Sequence, residues 1–344
     1  MQLISNTGDY NMSGKILMGH GSGGKLMNEL INNIIREKFG EESLQLDDSA
    51  ILPMVNKPIA FTTDTFTITP IFFNGGDIGS LAIYGTVNDL AVMGAKPLYI
   101  SCGLILEEGF DISELETVMD SMKRAADYAR VKIVTGDTKV VEKGKADKIF
   151  INTSGIGIVE HPVQRRNLDD GDVIRINGSI GDHGISILAE RNGFSFSKGS
   201  ASDSAPLNHL ILPLVKEFPD GIKFMRDATR GGVASVLNEL VLGSSFSAKL
   251  IEDNLPVKAE VKGVCDILGL DPLYVANEGK VIMVVKRRWG DKGLDKIRSQ
   301  KEGRNAAIIG EITREFPEKV FVETGIKGKR LLSLLTEEQL PRIC

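Results

Sequence analysis

Apolar runs with strand character alternate with segments of helical period along almost the whole of this chain, and that alternation leaves few folds open. Leu26, Leu30, Ile34 and Ile35 share one helical face within Lys25 to Phe39. The run IAFTT after Pro58 predicts a strand, and a helix is expected from about Ile78 to Met93, stopped by Gly94 and Pro97. LYISCGLIL reads as a buried strand. Ser113-Glu114-Leu115-Glu116 matches a capping box that would start a helix reaching about Ala129, and VKIVTGD and KIFINTSGIGIV supply two more strands. Elements interleaved in this way predict a sheet covered by helices, ending near Glu160.

The polar, turn-rich segment HPVQRRNLDDGD is the best boundary, and a second α/β unit is expected beyond it. That unit contains the strand VIRI, helices around Ile185 to Glu190 and Leu207 to Phe218, a helix opened by RDATRGG, and strands at Val281 to Val285 and Val320 to Glu323. At 344 residues the chain exceeds the size at which one core usually keeps growing, which also favours two domains. The expected division is 1–160, 161–331 and a flexible tail over 332–344, where Pro341 disfavours helix. At ~3.3 Å per extended residue such a tail reaches on the order of 40 Å.

Charge and cysteine usage narrow the partners. The formal net charge is -5 and the 41 basic residues are scattered, which argues against nucleic acid as the main partner. A phosphate ligand stays open, because Mg²⁺ can bridge carboxylates and phosphates. Cys102, Cys265 and Cys344 are an odd number without CxxC spacing, so neither a disulfide framework nor a zinc knuckle is indicated. No signal segment or membrane-length apolar run is present in the sequence, so a cytoplasmic protein is expected.

Several motifs carry chemistry. GHGSGGK places Gly21, Gly23, Gly24 and Lys25 in a loop running into a helix, where backbone N–H groups face a phosphate or simply form a turn. It is not a Walker A sequence. His20 lies in the same loop, as a site residue or a surface histidine. Asp47-Asp48, Asp64, Asp89, Asp137 after Gly136, and Asp227 form a series of acids, each a Mg²⁺ or phosphate ligand or an ordinary cap. Asp64 and Asp137 follow apolar strand runs, a placement that favours a metal or hydrogen-bonded role. Asn88-Asp89 interrupts an apolar helix against local propensity, so a tertiary or ligand reason is expected. RDATRGG, with Asp227 and Arg230, suits a second anion contact or a plain charged helix start. NEGK offers Glu278 and Lys280 beside a glycine turn. The chain ends Pro-Arg-Ile-Cys, and the Cys344 thiol is either a reachable carrier of an acyl-like group or incidental.

Together GHGSGG, DDSAIL, TTDT, NDLAVMGA, VTGDT, RDATRGG, NEGK and the terminal PRIC resemble the hydrogenase maturation HypE family, from Gly19 to Cys344. That family belongs to the ATP-binding superfamily of aminoimidazole ribonucleotide synthetase, selenophosphate synthetase and thiamine-monophosphate kinase. The acidic motifs are common to the superfamily, whereas the PRIC end separates the HypE family from its relatives. The resemblance implies two α/β domains paired into a homodimer through the N-terminal sheets. It also implies a carbamoyl group loaded on Cys344 by the carbamoyltransferase HypF, dehydrated with ATP to a thiocyanate, and passed as cyanide to iron on the HypC–HypD complex. By motif match, Asp48, Asp89, Asp137 and Asp227 are the implied Mg²⁺ ligands, with Asp64, Asn88, Gly136, Arg230 and the glycine loop around ATP. Glu278 is the implied proton acceptor and Lys139 a polar neighbour of the thiocarbamate, with Asp89 and His20 completing the catalytic set. A phosphotransferase of the same superfamily acting on a free small molecule, and a non-catalytic thiol carrier, are the alternative readings.

Overall fold

The computed structural model describes residues 14–21, 29–39, 56–163, 168–193, 201–335, 340 and 342–344. Gly23, Gly24, Lys25 and Asp48 of the expected site lie outside them.

The first half builds a four-stranded sheet from β1 (Ile59–Phe66), β4 (Ala95–Glu107), β5 (Lys132–Val141) and β6 (Ile149–Val159), in the order β1-β6-β4-β5. Only the β4–β5 pair is parallel, and α2 (Ile112–Ala129) makes that crossover. A short hairpin, β2 (Phe72–Phe73) and β3 (Gly76–Asp77), leads into α1 (Ile78–Val92). Asp77 starts α1 by accepting the N–H groups of Gly79 and Ser80, while Ser80 Oγ accepts the Asp77 N–H. Because α1 lies between the sheet and neighbouring helices, it is buried nearly all round, which explains its even apolar character. The capping box expected at Ser113 is not formed. Ile16 exchanges hydrogen bonds with Gly109 and Phe110 and Lys15 bridges Asp111, which keeps Asp111 extended so that it takes the cap position.

The second half forms a seven-stranded sheet in the order β13-β12-β9-β11-β7-β10-β8. Its strands are β7 (Val173–Ile176), β8 (Ile222–Asp227), β9 (Ser247–Ile251), β10 (Val281–Val285), β11 (Ala307–Thr313), β12 (Val320–Glu323) and β13 (Lys329–Leu332). Helices α3 (Asp182–Asn192), α4 (Asn208–Glu217), α5 (Gly232–Val241), α6 (Ala259–Leu268) and α7 (Gly290–Arg298) accompany it. The unbroken apolar run of β10 has a simple cause. Ile282 and Val284 enter the core under α5, and Val281, Met283 and Val285 enter the core under α4 and α7. Ala91 and Val92 of α1 belong to that second core, so the two halves share apolar packing.

The two faces of the first sheet differ. Leu104, Leu106 and Ile151 point into the helical layer, whereas Phe61, Ile105, Asn152, Asp137 and Lys139 lie on the opposite face. Phe61 is 69% exposed there. Among the described residues no helix is long and apolar enough to cross a membrane.

Candidate functional site

Strand alternation on β1 turns Thr62 and Asp64 toward α1 and leaves Phe61, Thr63 and Thr65 outward. From α1, Asp89 meets this edge and accepts the Thr62 hydroxyl at 2.7 Å. Asp227 ends β8, opposite Val281 of β10, and Glu278 precedes β10 in the chain. The turn after Asp227 is possible because Gly231 and Gly232 take φ of +70° and +59°. A Cβ on Gly232 would sit 2.6 Å from the Leu273 carbonyl oxygen.

These four acids form one electrostatic unit. Burial first, then Asp89, raises Asp64 to about 6, and burial with Asp89 and Asp64 raises Asp227 to about 7. Burial also raises Asp89, opposed by the Thr62 hydrogen bond and Arg226. Glu278 is pushed well above the carboxylate range by burial, then by Asp227, Asp203, Asp64 and Asp89. Its buried Oε1 has no hydrogen-bond partner among the described residues. Acids grouped in this way share protons or attract a cation. Beside them Asp203 pairs with Lys280 at 2.8 Å and accepts the Glu278 N–H. Burial works to raise Asp203, but Lys280 and then His183 outweigh it and hold the carboxyl low.

The C-terminal tip reaches this neighbourhood. Ile343 is buried, and Cys344 lies with Thr63, Asp64, Thr65, Thr67, Arg230 and Arg342 around a cleft of about 390 Å³. That volume suits a small ligand. A thiol at the end of the chain thus opens on the same cleft as a buried acid and a guanidinium.

Comparison with known proteins separates the possible relatives. Models of the AIR synthase related protein N-terminal and C-terminal domains match residues 46–159 and 169–323. The Escherichia coli K12 carbamoyl dehydratase HypE is 43% identical over 339 residues, covering 96% of this chain and 99% of that one. A putative hydrogenase expression/formation protein of Methanocaldococcus jannaschii is 46% identical, covering 96% and 100%. The chain belongs to the HypE family. A crystal structure of a HypE in complex with ATP superposes with a TM-score of 0.91 at 45% identity, covering 95% of this chain and 99% of that one. The HypE of a HypE–HypF complex gives 0.78 at 44% identity, covering 89% and 99%. The two-domain AIR synthase-like fold expected from the motifs is therefore the fold of the family.

Of the residues singled out from the sequence, Asp64, Asp89, Asp227 and Glu278 come together, and Arg230 and Cys344 share the cleft with Asp64. Asp137, Gly136 and Lys139 do not join them within one chain. They lie on β5, three strands from β1 across the sheet, on the order of 14 Å at the usual strand spacing. Asp137 faces outward in an ion pair with Lys139, whose hydrogen bond holds it below the usual range. Gly136 serves strand contact, since a Cβ there would lie 2.5 Å from the Cys102 carbonyl oxygen. His20 is also placed elsewhere. It is buried in a turn against β5, and its Nδ1 accepts the Leu17 N–H; Gly21 ends the same turn.

Asn88 takes the tertiary of the two roles that its place in an apolar helix left open. Its amide donates to the Ala205 and Glu278 carbonyls and its oxygen accepts the Leu207 N–H, so it fastens α1 to the second half instead of facing a ligand. Thr62, Asp203 and His183 went unmarked in the sequence. Only the glycines flanking Asp182-His183 in GDHG gave a local signal.

Proposed function

We propose that the chain dehydrates a carbamoyl group carried on Cys344, using ATP, to a thiocyanate. The observation that carries this reading is the position of Cys344 on the cleft shared with Asp64 and Arg230. Family membership supports it, as does the ATP bound to a close relative.

The buried acids fit a MgATP site. Burial first, and then their mutual repulsion, raises their pKa values, and a divalent cation would relieve the repulsion. Among the described residues no three acid, histidine or cysteine side chains converge as a ligand set. Mg²⁺ commonly takes one or two carboxylates and completes its shell with phosphate oxygens and water, so this is no obstacle. Asp89 and Asp227 would hold the ion with Asp48, and it would supply positive charge to the phosphates. Arg230 is positioned for an anionic group in the cleft.

An amide oxygen leaves poorly, so transfer of the terminal phosphoryl group of ATP to that oxygen converts it into a phosphate leaving group. Loss of phosphate and of the nitrogen protons then gives the nitrile of the thiocyanate. Glu278 is the proton acceptor in this scheme: burial and then the neighbouring acids make its carboxylate a stronger base than an ordinary one, and a cation bound among those acids would keep it ionised.

A homodimer through the open face of the first sheet completes the proposal. Phe61 and Ile59, 69% and 55% exposed, with Ile105, make an apolar surface that a second copy would cover. Asp137 and Lys139 lie on that face, so a neighbouring subunit is the route by which they would meet a reacting group. HypF, found in complex with a relative, is the carbamoyl donor in this reading, and HypC–HypD the cyanide acceptor, in the cytoplasm and without nucleic acid.

Cys344→Ala separates the readings. The dehydratase reading expects ATP binding to persist and carbamoyl-dependent ATP turnover to vanish. A phosphotransferase acting on a free small molecule would keep its turnover, and a pure thiol carrier would show none even in the unaltered chain.

A further inference from the structure

The last residues are gripped by a built receptor that the motif comparison does not mark. Two side chains of α3 hold consecutive carbonyls of the tail: His183 Nε2 donates to Ile343 O at 2.7 Å, and Arg191 donates to Arg342 O. Arg191 Nε also donates to Thr69 O at 2.6 Å, so one guanidinium joins the tail to the segment after β1. That segment pairs with the tail in the manner of an added strand. Thr67 N–H donates to Cys344 O at 3.0 Å and Thr69 N–H to Arg342 O at 3.4 Å.

Two side-chain contacts add selectivity. Arg342 Nε donates to Thr67 O, and its guanidinium pairs with Asp147 at 2.8 Å. Ile343 is 2% exposed and fills an apolar slot beside Gly184. A Cβ at Gly184 would stand 2.4 Å from Val275 Cγ1 and 3.3 Å from Ile343 Cδ1, so the slot depends on glycine there.

The tautomer of His183 follows from its partners. A carbonyl oxygen only accepts, so Nε2 carries a proton; burial keeps the ring neutral, so Nδ1 accepts from the Ser202 hydroxyl at 2.8 Å. Ser202 N–H in turn donates to Asn74 O, fixing the loop that orients the ring. The imidazole is therefore a donor to the tail, oriented from its other side by Ser202.

We propose that α3 is the receptor for the chain's own C-terminal Arg-Ile-Cys, and that His183, Gly184 and Arg191 are positioning residues that set Cys344 at the cleft. The receptor draws on both halves of the molecule: His183, Gly184 and Arg191 from the second, Thr67, Thr69 and Asp147 from the first. Most of its hydrogen bonds go to the tail backbone, so they are indifferent to what the thiol carries. Cargo can change on Cys344 without altering the grip. The positioning role rests on the dehydratase reading, whereas docking itself does not.

The test measures the two separately. Alkylation of Cys344 by a maleimide carrying a polyethylene glycol chain, too bulky to enter the cleft of about 390 Å³, followed by intact mass, reads the undocked population; buried Cys102 and Cys265, their thiols pushed up to about 12 and about 11 by burial, serve as unreactive references. His183→Ala is expected to speed Cys344 alkylation about tenfold, the size of one net hydrogen bond. His183→Gln, which keeps a donor near the Nε2 position, should return most of the protection. Ile343→Ala, at the chain end where it leaves the body of the fold intact, should also expose the thiol on the order of tenfold. Alkylation at the unaltered rate in both His183→Ala and Ile343→Ala overturns the receptor.

For positioning, single-turnover dehydration of carbamoylated His183→Ala should slow severalfold with ATP binding unchanged, through misalignment of the docked thiol, since a tenfold rise in a minor undocked population by itself leaves the docked fraction nearly full. Faster alkylation with an unaltered dehydration rate would overturn the positioning role. If the unaltered chain dehydrates nothing, the functional reading fails, and the alkylation result still decides docking.

Discussion

Replacing Asn88 by alanine distinguishes a fastener from a ligand contact. The side chain is 1% exposed and makes three hydrogen bonds, to Ala205 O, Glu278 O and Leu207 N. Truncation leaves two carbonyls and one N–H without their partner. The bonds to Glu278 and Leu207 are fully buried, so at about 1–3 kcal/mol for each orphaned group the loss is roughly 3 kcal/mol. This is a large share of the ~5–15 kcal/mol that holds a typical domain together. At about 2–4 °C per kcal/mol, with the lower value fitting a long chain, the thermal midpoint should fall by about 6 °C. Differential scanning calorimetry with and without MgATP measures it, and the drop should appear in both conditions. Activity should fall too, because the lost bond to Glu278 O lets that loop shift. A midpoint within about 2 °C of the parent, together with weakened ATP binding, would refute the reasoning and return Asn88 to the nucleotide.

Other perturbations address the acids and the open sheet face. Asp64 at about 6 and Asp227 at about 7 are raised above their unfolded values, so the folded chain binds more protons between pH 4 and 7. Their contribution is full below the unfolded pKa and lost as pH rises through the folded one, so the metal-free thermal midpoint should decline from pH 5 to 8. Added Mg²⁺ should flatten that decline, and an equal slope with the ion would count against these groups. Asp89→Asn should weaken MgATP binding in calorimetry by about tenfold or more, the value of a charge-assisted contact; unchanged affinity would remove Asp89 from the site. Phe61→Glu places a charge on the apolar part of the open face and should yield monomers in analytical ultracentrifugation, while a persistent dimer would locate the interface elsewhere.

Much of this architecture was readable because its causes are local. The strands Val281–Val285 and Val320–Glu323 carry their own apolar pattern, and α1 announces its end at Gly94. The motif cluster pointed to the acids on β1, α1 and β8. What stayed hidden depends on contacts between distant segments. Asn88 lies 117 positions from Ala205, and nothing near either residue encodes that bond. The Ser113 motif failed because pairing with Lys15 and Ile16, far away in sequence, keeps Asp111 extended. Asp64 and Asp137 carry similar strand-end signals, yet burial is decided by the face each occupies. Asp64 turns to α1, and Asp137 to the open side. A period of two predicts alternation without saying which face a helix will cover.

The central claim is that Cys344 carries the group on which the chemistry occurs. Intact mass spectrometry of the chain with HypF, carbamoyl phosphate and MgATP tests it most directly. The account predicts one carbamoyl adduct mapped to Cys344, followed by loss of one water from that adduct only when ATP is hydrolysed. An adduct that forms and never loses water while ATP is consumed, or an adduct on another residue, would contradict it.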